Sequence, residues 1–119
     1  MIIRVYSHKD CVAINTDRID SISADYTLDL KTRKFVRNVS VIFNMSNSEN
    51  SEVIFAIDID SESYKIYTTD EILNLKKCVI DYIINSIYMG AKSIDIVKTV
   101  EHALNETLLN IERDIDNEN

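Results

Sequence analysis

The sequence predicts an α+β fold in which an N-terminal antiparallel β-meander of roughly four or five strands precedes two C-terminal α-helices. Apolar and polar residues alternate through the first half of the chain, and the apolar period changes to helical spacing after residue 68. The chain has 119 residues, which is the length of a single domain. We expect a sheet over 1–67, a helical hairpin over 69–115 and a frayed acidic tail over 116–119.

The first half shows the period-two pattern of half-buried strands. Two short apolar runs, 1–6 and 11–15, open the chain. Apolar residues then occupy alternate positions over 22–30, 35–43 and 52–59, and polar turns of hairpin length separate these runs. Because short connections favour antiparallel neighbours, the runs predict a meander.

The first helix is predicted over 69–90. Thr68 and Glu71 match a capping box, in which a hydroxyl and a carboxylate three residues later satisfy backbone donors. The main apolar positions follow helical spacing at Ile72, Leu75, Val79, Tyr82, Ile83 and Ile87. A second set widens the stripe at Leu73, Ile80, Ile84 and Tyr88. A helix that is apolar on more than one face is either a central core helix or part of an oligomer interface.

The second helix is predicted over 93–115. Gly90 lies where a left-handed residue would end the first helix, and Ser93 is the expected N-cap of the second, with Asp95 in its first turn. A single apolar seam follows at Val97, Val100, Leu104, Leu108, Ile111 and Ile115. This helix is therefore expected to be amphipathic, with one face on the core.

Composition argues against several functional classes. There are 20 acidic and 13 basic residues, and the net charge of −7 is unsuited to general nucleic-acid binding. One glycine is too few for a P-loop or a dinucleotide-binding loop. The longest apolar stretch, 78–89, contains polar residues and is shorter than the ~20 residues that span a bilayer. No nucleic acid or membrane partner is expected.

The two cysteines, Cys11 and Cys78, are far apart in the sequence. They can in principle form one disulfide, but nothing else in the chain is typical of a small disulfide-stapled scaffold. We therefore expect two reduced thiols and a cytoplasmic protein.

Candidate catalytic and metal-binding residues each have a simpler structural interpretation. His102 lies near Glu101 and Glu106 in sequence, which is typical of a surface histidine on a helix. Zinc would need more cysteine and histidine ligands at short spacing. Asp58 and Asp60 alternate with Glu62, but no turn glycine accompanies them, so a solvated strand edge is favoured over calcium. The sequence therefore predicts no metal, no cofactor and no enzyme activity.

Three side chains of the first helix, Tyr82, Asn85 and Tyr88, lie on successive turns. They are either core residues or a stacking platform for a nucleobase. Arg113 stands among acidic residues near the end of the chain, where it either balances charge or grips a phosphate through its planar guanidinium. Four basic residues around the first hairpin either protect a strand edge or bind phosphate. They are Lys31, Arg33, Lys34 and Arg37.

In its overall organisation the chain resembles the anti-Thoeris sponges. These phage and prophage proteins sequester the cyclic ADP-ribose isomer that a bacterial defence enzyme makes. The resemblance implies non-enzymatic counter-defence, a homo-oligomer that is a dimer or larger, and binding of a small anionic cyclic nucleotide in pockets at subunit interfaces. It implies that Tyr82 and Tyr88 stack on the base, that Asn85 makes a polar contact, and that Lys92 or Arg113 binds phosphate.

Two other functional classes stay open at the level of sequence. A small acidic protein can inhibit a nucleic-acid-handling host defence complex by presenting carboxylates to its basic channel. Such an inhibitor should concentrate its acids on one patch, whereas here they occur in the strands, both helices and the tail. A structural or regulatory module of a mobile element would also lack catalytic residues. The spread of the acids favours the ligand-binding hypothesis.

Overall fold

The computed structural model of the chain describes residues 1–28, 31, 36–46, 51–59 and 69–117, of which 108–117 are described by their helical backbone alone. Within these residues there are six strands and two α-helices: β1 (Ile2–Tyr6), β2 (Cys11–Asn15), β3 (Ile19–Leu28), β4 (Val36–Met45), β5 (Glu52–Asp58), α1 (Thr69–Tyr88), β6 (Ser93–Asp95) and α2 (Ile96–Asn117). The strands form two three-stranded sheets. The predicted α+β class is confirmed, with an antiparallel meander followed by two C-terminal helices.

One sheet is mixed, with the order β2-β1-β6. Strands β1 and β2 form an antiparallel hairpin, and β6 pairs parallel to β1, with Val5 opposite Ile94. Ile3, Val5 and Ile94 are buried on the inner face of this sheet. The parallel strand falls inside the segment that was predicted as a helical hairpin. It joins the chain after α1 to the first strand of the fold.

The other sheet is an antiparallel meander of three strands in the order β3-β4-β5, fewer than the four or five strands predicted, because β1 and β2 belong to the mixed sheet. Its strands pair antiparallel, and the central strand β4 buries Val39, Val41 and Phe43 on one face. The rings of Phe43 and Phe55 meet edge to face with centroids 5.9 Å apart, a favoured geometry for two aromatic rings. This buried face is the surface on which the helices pack.

The ends of the helices are fixed by local hydrogen bonds. Helix α1 ends in a Schellman motif: the N–H of Gly90 donates to the carbonyl of Ile87 (3.0 Å), and the N–H of Ala91 donates to that of Ser86 (2.9 Å). Gly90 has φ +77°, so its predicted role is confirmed.

The prediction that Ser93 caps α2 is wrong, because Ser93 lies in β6 and Asp95 is the capping residue. The Asp95 carboxylate accepts a hydrogen bond from the N–H of Lys98 at 3.2 Å. Of the predicted capping box of α1, Thr68 lies outside the described residues. Helix α2 continues to Asn117, into the segment that was expected to be a frayed tail.

Both helices contribute one face to a common core. Helix α1 buries Leu75, Val79 and Ile83, and α2 buries a matching set at Ile96, Val100, Ala103 and Leu104. Helix α1 packs against α2 on one side and β3 on another, where Lys76 lies 3.8 Å from Asp25 and over the ring of Tyr26. The remaining side of α1 faces away from the core. This outward side and the α1–α2 contact position the candidate site.

Candidate functional site

The structure describes the side chains of four of the five predicted binding residues, and it places them in two different environments. Tyr82 is half-buried between the helices, whereas Asn85, Tyr88 and Lys92 are exposed. Arg113 belongs to α2, and only its backbone is described there. The predicted set is therefore divided between the contact of the two helices and the C-terminal end of α1.

Tyr82 is held by α2 through two contacts. Its hydroxyl donates to Oε1 of Glu106 at 2.5 Å, and its ring meets the imidazole of His102 edge to face, with centroids 4.5 Å apart. The hydrogen bond to Glu106, followed by burial and the negative charge of that carboxylate, raises the pKa of Tyr82 to about 12. The ring and hydroxyl of Tyr82 are therefore engaged within the chain.

Glu106 accepts from more than one donor at this contact. Its Oε2 lies 3.8 Å from Sγ of Cys78, a weak donor, and its Oε1 lies 3.6 Å from Nε2 of His102. Burial, and then the neighbouring Glu106 charge, raise the pKa of the Cys78 thiol. We call Cys78, Tyr82, His102 and Glu106 the seam cluster. It links α1 to α2 through a single carboxylate.

The seam cluster is unsuited to the role predicted for Tyr82. A phosphate placed beside Glu106 would meet a carboxylate, and like charges at short distance repel. Tyr82 and Cys78 hold their protons more tightly than isolated side chains, so neither is activated as a nucleophile. What the cluster does is fix the rotation and distance of one helix relative to the other.

Next to the seam cluster, a second polar contact extends the seam toward the start of α1. Thr107 is buried, and its hydroxyl donates to the carbonyl of Ala103 at 2.9 Å within α2. The amide of Asn74 reaches the same hydroxyl at 3.5 Å. The buried hydroxyl therefore has partners on both helices, which avoids the cost of an unsatisfied polar group.

The C-terminal end of α1 offers a different kind of surface. Tyr88 is 89% exposed, Met89 is 82% exposed and Ile84 is 49% exposed, while the Asn85 amide is also open to solvent. Lys92 follows the Schellman turn, and its carbonyl accepts a hydrogen bond of 3.0 Å from the N–H of Arg4. We call these five residues, from Ile84 to Lys92, the α1 end surface.

This surface combines an aromatic ring, an amide and an ammonium group around apolar side chains. A helix C-terminus carries a partial negative charge, which disfavours anions nearby. Lys92 supplies the opposite charge just beyond that end. The arrangement can bind a flat, partly apolar molecule that also carries an anionic group.

Other predicted candidates are only partly within the described structure. Asp58 is exposed, and its carboxylate accepts from the Asn38 amide at 3.1 Å, as a solvated strand edge would. Asp60 and Glu62 lie outside the described residues, as do Arg33 and Lys34 of the basic hairpin cluster. Among the residues that are described, no group of three or more potential ligands is arranged to hold a metal ion.

Sequence reasoning missed the role of Glu106 as the partner of Tyr82. The spacing of His102 and Glu106 was visible, and so was the four-residue step from Cys78 to Tyr82, which puts each pair on one helix face. Whether the two pairs face each other depends on how the helices are rotated about their axes, which spacing within one helix does not determine.

Cys11 and Cys78 are both free thiols in the structure.

In the described part of the chain, neither helix combines the length and the apolar character that crossing a membrane requires. No protein-family model, curated protein or solved structure matches the sequence or the fold. The geometry of the α1 end surface and the seam cluster is therefore the basis for a functional proposal.

Proposed function

We propose that this protein is a non-enzymatic counter-defence protein that sequesters a small anionic cyclic nucleotide of the cyclic ADP-ribose isomer class. The ligand binds at the α1 end surface, in a pocket that a second subunit completes, in the cytoplasm of the host cell. The observation that carries the proposal is the exposure of Tyr88, which is 89% open to solvent beside Met89. The organisation shared with the anti-Thoeris sponges suggests the ligand class.

Stacking on Tyr88 is the central interaction of the proposed complex. A tyrosine ring stacks on any nucleobase, and each such contact is worth about 1–3 kcal/mol by alanine substitution. Asn85 can hydrogen-bond to the polar edge of the base, and Lys92 can pair with a phosphate. Tyr82 is reassigned from stacking to holding α1 against α2, since its hydroxyl and ring are engaged by Glu106 and His102.

Two features favour binding without chemistry and between subunits. The phenol of Tyr82 and the thiol of Cys78 both have raised pKa values, so neither supplies a nucleophile at neutral pH. The α1 end surface consists of exposed side chains at one end of a helix, whereas small-molecule sites are concave and bury most of the ligand. A second chain would provide the missing wall.

The proposal is tested by calorimetric titration of the full chain with cyclic ADP-ribose isomers and cyclic dinucleotides. After titration the ligand is released by heating and analysed by chromatography. Tight binding with intact ligand would support sequestration, and ligand recovered cleaved would make the protein an enzyme. If nothing in the panel binds, the acidic-inhibitor hypothesis gains weight, and capture of a defence complex from host lysate becomes the next test.

Matched tyrosine variants localise the site. Tyr88→Ala should weaken binding by a factor of about 5–150, the equivalent of about 1–3 kcal/mol for one stacked base. Tyr6→Ala removes another exposed tyrosine, on β1, and should leave the affinity unchanged. Equal affinities for both variants and the parent chain would remove the α1 end surface from the proposal.

A further inference from the structure

The outward side of α1 carries an apolar stripe that is largely exposed. Leu73 is 57% exposed and Ile84 is 49% exposed, and the half-buried Ile80 lies between them at helical spacing. Lys77 and Asp81 are exposed beside the stripe. We call Leu73, Lys77, Ile80, Asp81 and Ile84 the outer face of α1.

The exposed apolar residues of the described structure are concentrated at this helix. Eight large hydrophobic side chains are exposed among all the described residues, and four of these eight belong to α1 or its C-terminal turn. They are Leu73, Ile84, Tyr88 and Met89. Single exposed apolar residues are ordinary, but several on one helix face with charged residues beside them are typical of an interaction surface.

From the charges on this face we infer that its partner is a second copy of the same chain, packed through an antiparallel α1–α1 contact. Lys77 and Asp81 have opposite signs, and within the described residues neither forms an ion pair with another side chain. A two-fold axis level with Cys78 and Val79 brings Lys77 beside the partner's Asp81, and the reciprocal pair forms by symmetry. A patch that carries both charges in this way is complementary to itself.

The same axis also matches the apolar side chains. It places Leu73 opposite the partner's Ile84, and symmetry repeats this contact at the other end of the helix pair. Ile80 and the aliphatic stem of Lys77 lie between the two contacts. A parallel arrangement would instead set Lys77 against the partner's Lys77 and Asp81 against the partner's Asp81, which costs energy. The charge pattern therefore selects the antiparallel orientation.

This contact deepens the proposed function and rests on it, because the proposed ligand pocket lies between subunits. In the antiparallel arrangement Tyr88 lies beyond the apolar contact, next to the first turn of the partner's α1. The carboxylates of the partner's Asp70 and the partner's Glu71 lie there at the positive end of the helix dipole, which offsets their charge. The dimer would therefore have two equivalent α1 end surfaces, one at each end of the helix pair, each bordered by the other chain. Self-association can be measured without any ligand, so its failure is distinguishable from a failure to bind one.

The first test is sedimentation equilibrium of the full chain over a range of concentrations. The parent chain should dimerise reversibly, and Ile84→Lys should be monomeric at concentrations where the parent is dimeric, with an unchanged circular-dichroism spectrum. Ile54→Lys is the matched control, because Ile54 is similarly exposed but lies on β5, and this variant should still dimerise. A parent chain that stays monomeric at the highest soluble concentration would overturn the inference.

The second test separates this contact from any other mode of dimerisation. K77E leaves two acids at these positions and D81K leaves two bases, so either variant alone turns two attractive contacts into repulsive ones. One exposed ion pair changes an association constant about 1.5–5-fold, and each variant loses two attractive contacts and gains two repulsive ones. Each variant should therefore dimerise at least about 5-fold more weakly at low salt. Mixing the two variants restores both attractive pairs, so a heterodimer of near-parent affinity should form. Dimers unaffected by either charge reversal, or a mixture that does not associate, would contradict the antiparallel α1 contact.

Discussion

Helix α1 carries two tyrosines, Tyr82 and Tyr88, in opposite environments. Tyr82 faces α2, where Glu106 takes its hydroxyl and His102 meets its ring. Tyr88 lies beyond the reach of α2 and is 89% exposed. The two residues share a helix, an apolar stripe and a predicted role, and only the neighbouring element separates them. The comparison shows that a side chain available for a ligand is one that the fold has left without a partner.

The largest expected effect on stability is the difference between Ile83, which is buried, and its neighbour Ile84, which is exposed. Ile83→Ala removes a fully buried side chain and should lower the free energy of unfolding by about 2–5 kcal/mol. Ile84→Ala alters an exposed position and should change it by less than about 0.5 kcal/mol. Urea unfolding at low protein concentration, where self-association is weak, measures both. Similar losses for the two variants would mean that the faces of α1 are assigned incorrectly.

A smaller difference in unfolding free energy is expected when the hydroxyl of Tyr82 or of Tyr88 is removed. Tyr82→Phe removes the donor to Glu106 and should cost about 1 kcal/mol of unfolding free energy, because the carboxylate is partly solvated and recovers some hydrogen bonding from water. Tyr88→Phe should be neutral within about 0.5 kcal/mol. Urea midpoints of the two variants, compared with the parent, check the difference. A neutral Tyr82→Phe would remove the seam cluster as a contributor to stability.

The last effect is confined to alkaline pH. The pKa of Tyr82 is about 12 in the folded chain, above the ordinary value of 10, so the folded state keeps this proton after the unfolded state has released it. The stabilisation is complete below pH 10 and is lost as pH rises from 10 to 12. Stability of the parent should therefore fall more steeply over this interval than that of Tyr82→Phe. Parallel curves for the two proteins would contradict the raised pKa, and tyrosinate absorbance gives an independent reading.

Much of the fold follows from local sequence patterns. Alternation over 22–30 and 35–43 predicts β3 and β4, and the single glycine marks the end of α1 because φ +77° favours a residue without a side chain. The sequence does not settle the first residue of α2, since Ser93 and Asp95 are both good N-cap residues. Strand β6 could not be predicted because it has three residues and one buried side chain, Ile94, too few to show a period.

The candidate site was less predictable than the fold for a related reason. Spacing on one helix fixes which residues share a face, but it does not fix which face meets another element. Tyr82, Asn85 and Tyr88 each advance around the helix by the same step, so the sequence groups them. The contact with α2 then removes Tyr82 from the group, because Glu106 and His102 lie opposite it. That relation depends on tertiary packing between residues far apart in the chain.

The parallel pairing of β1 with β6 also has a consequence for how the chain is made. Strand β1 leaves the ribosome well before β6, because the meander and α1 lie between them in the sequence, yet Arg4 pairs with Ser93. During translation the β1–β2 hairpin therefore has an unpaired β1 edge until β6 has been synthesised. Closure of so long a loop is slow compared with hairpin or helix formation. The last step of folding should accordingly be the docking of β6, which brings Lys92 to its place beside the α1 end surface.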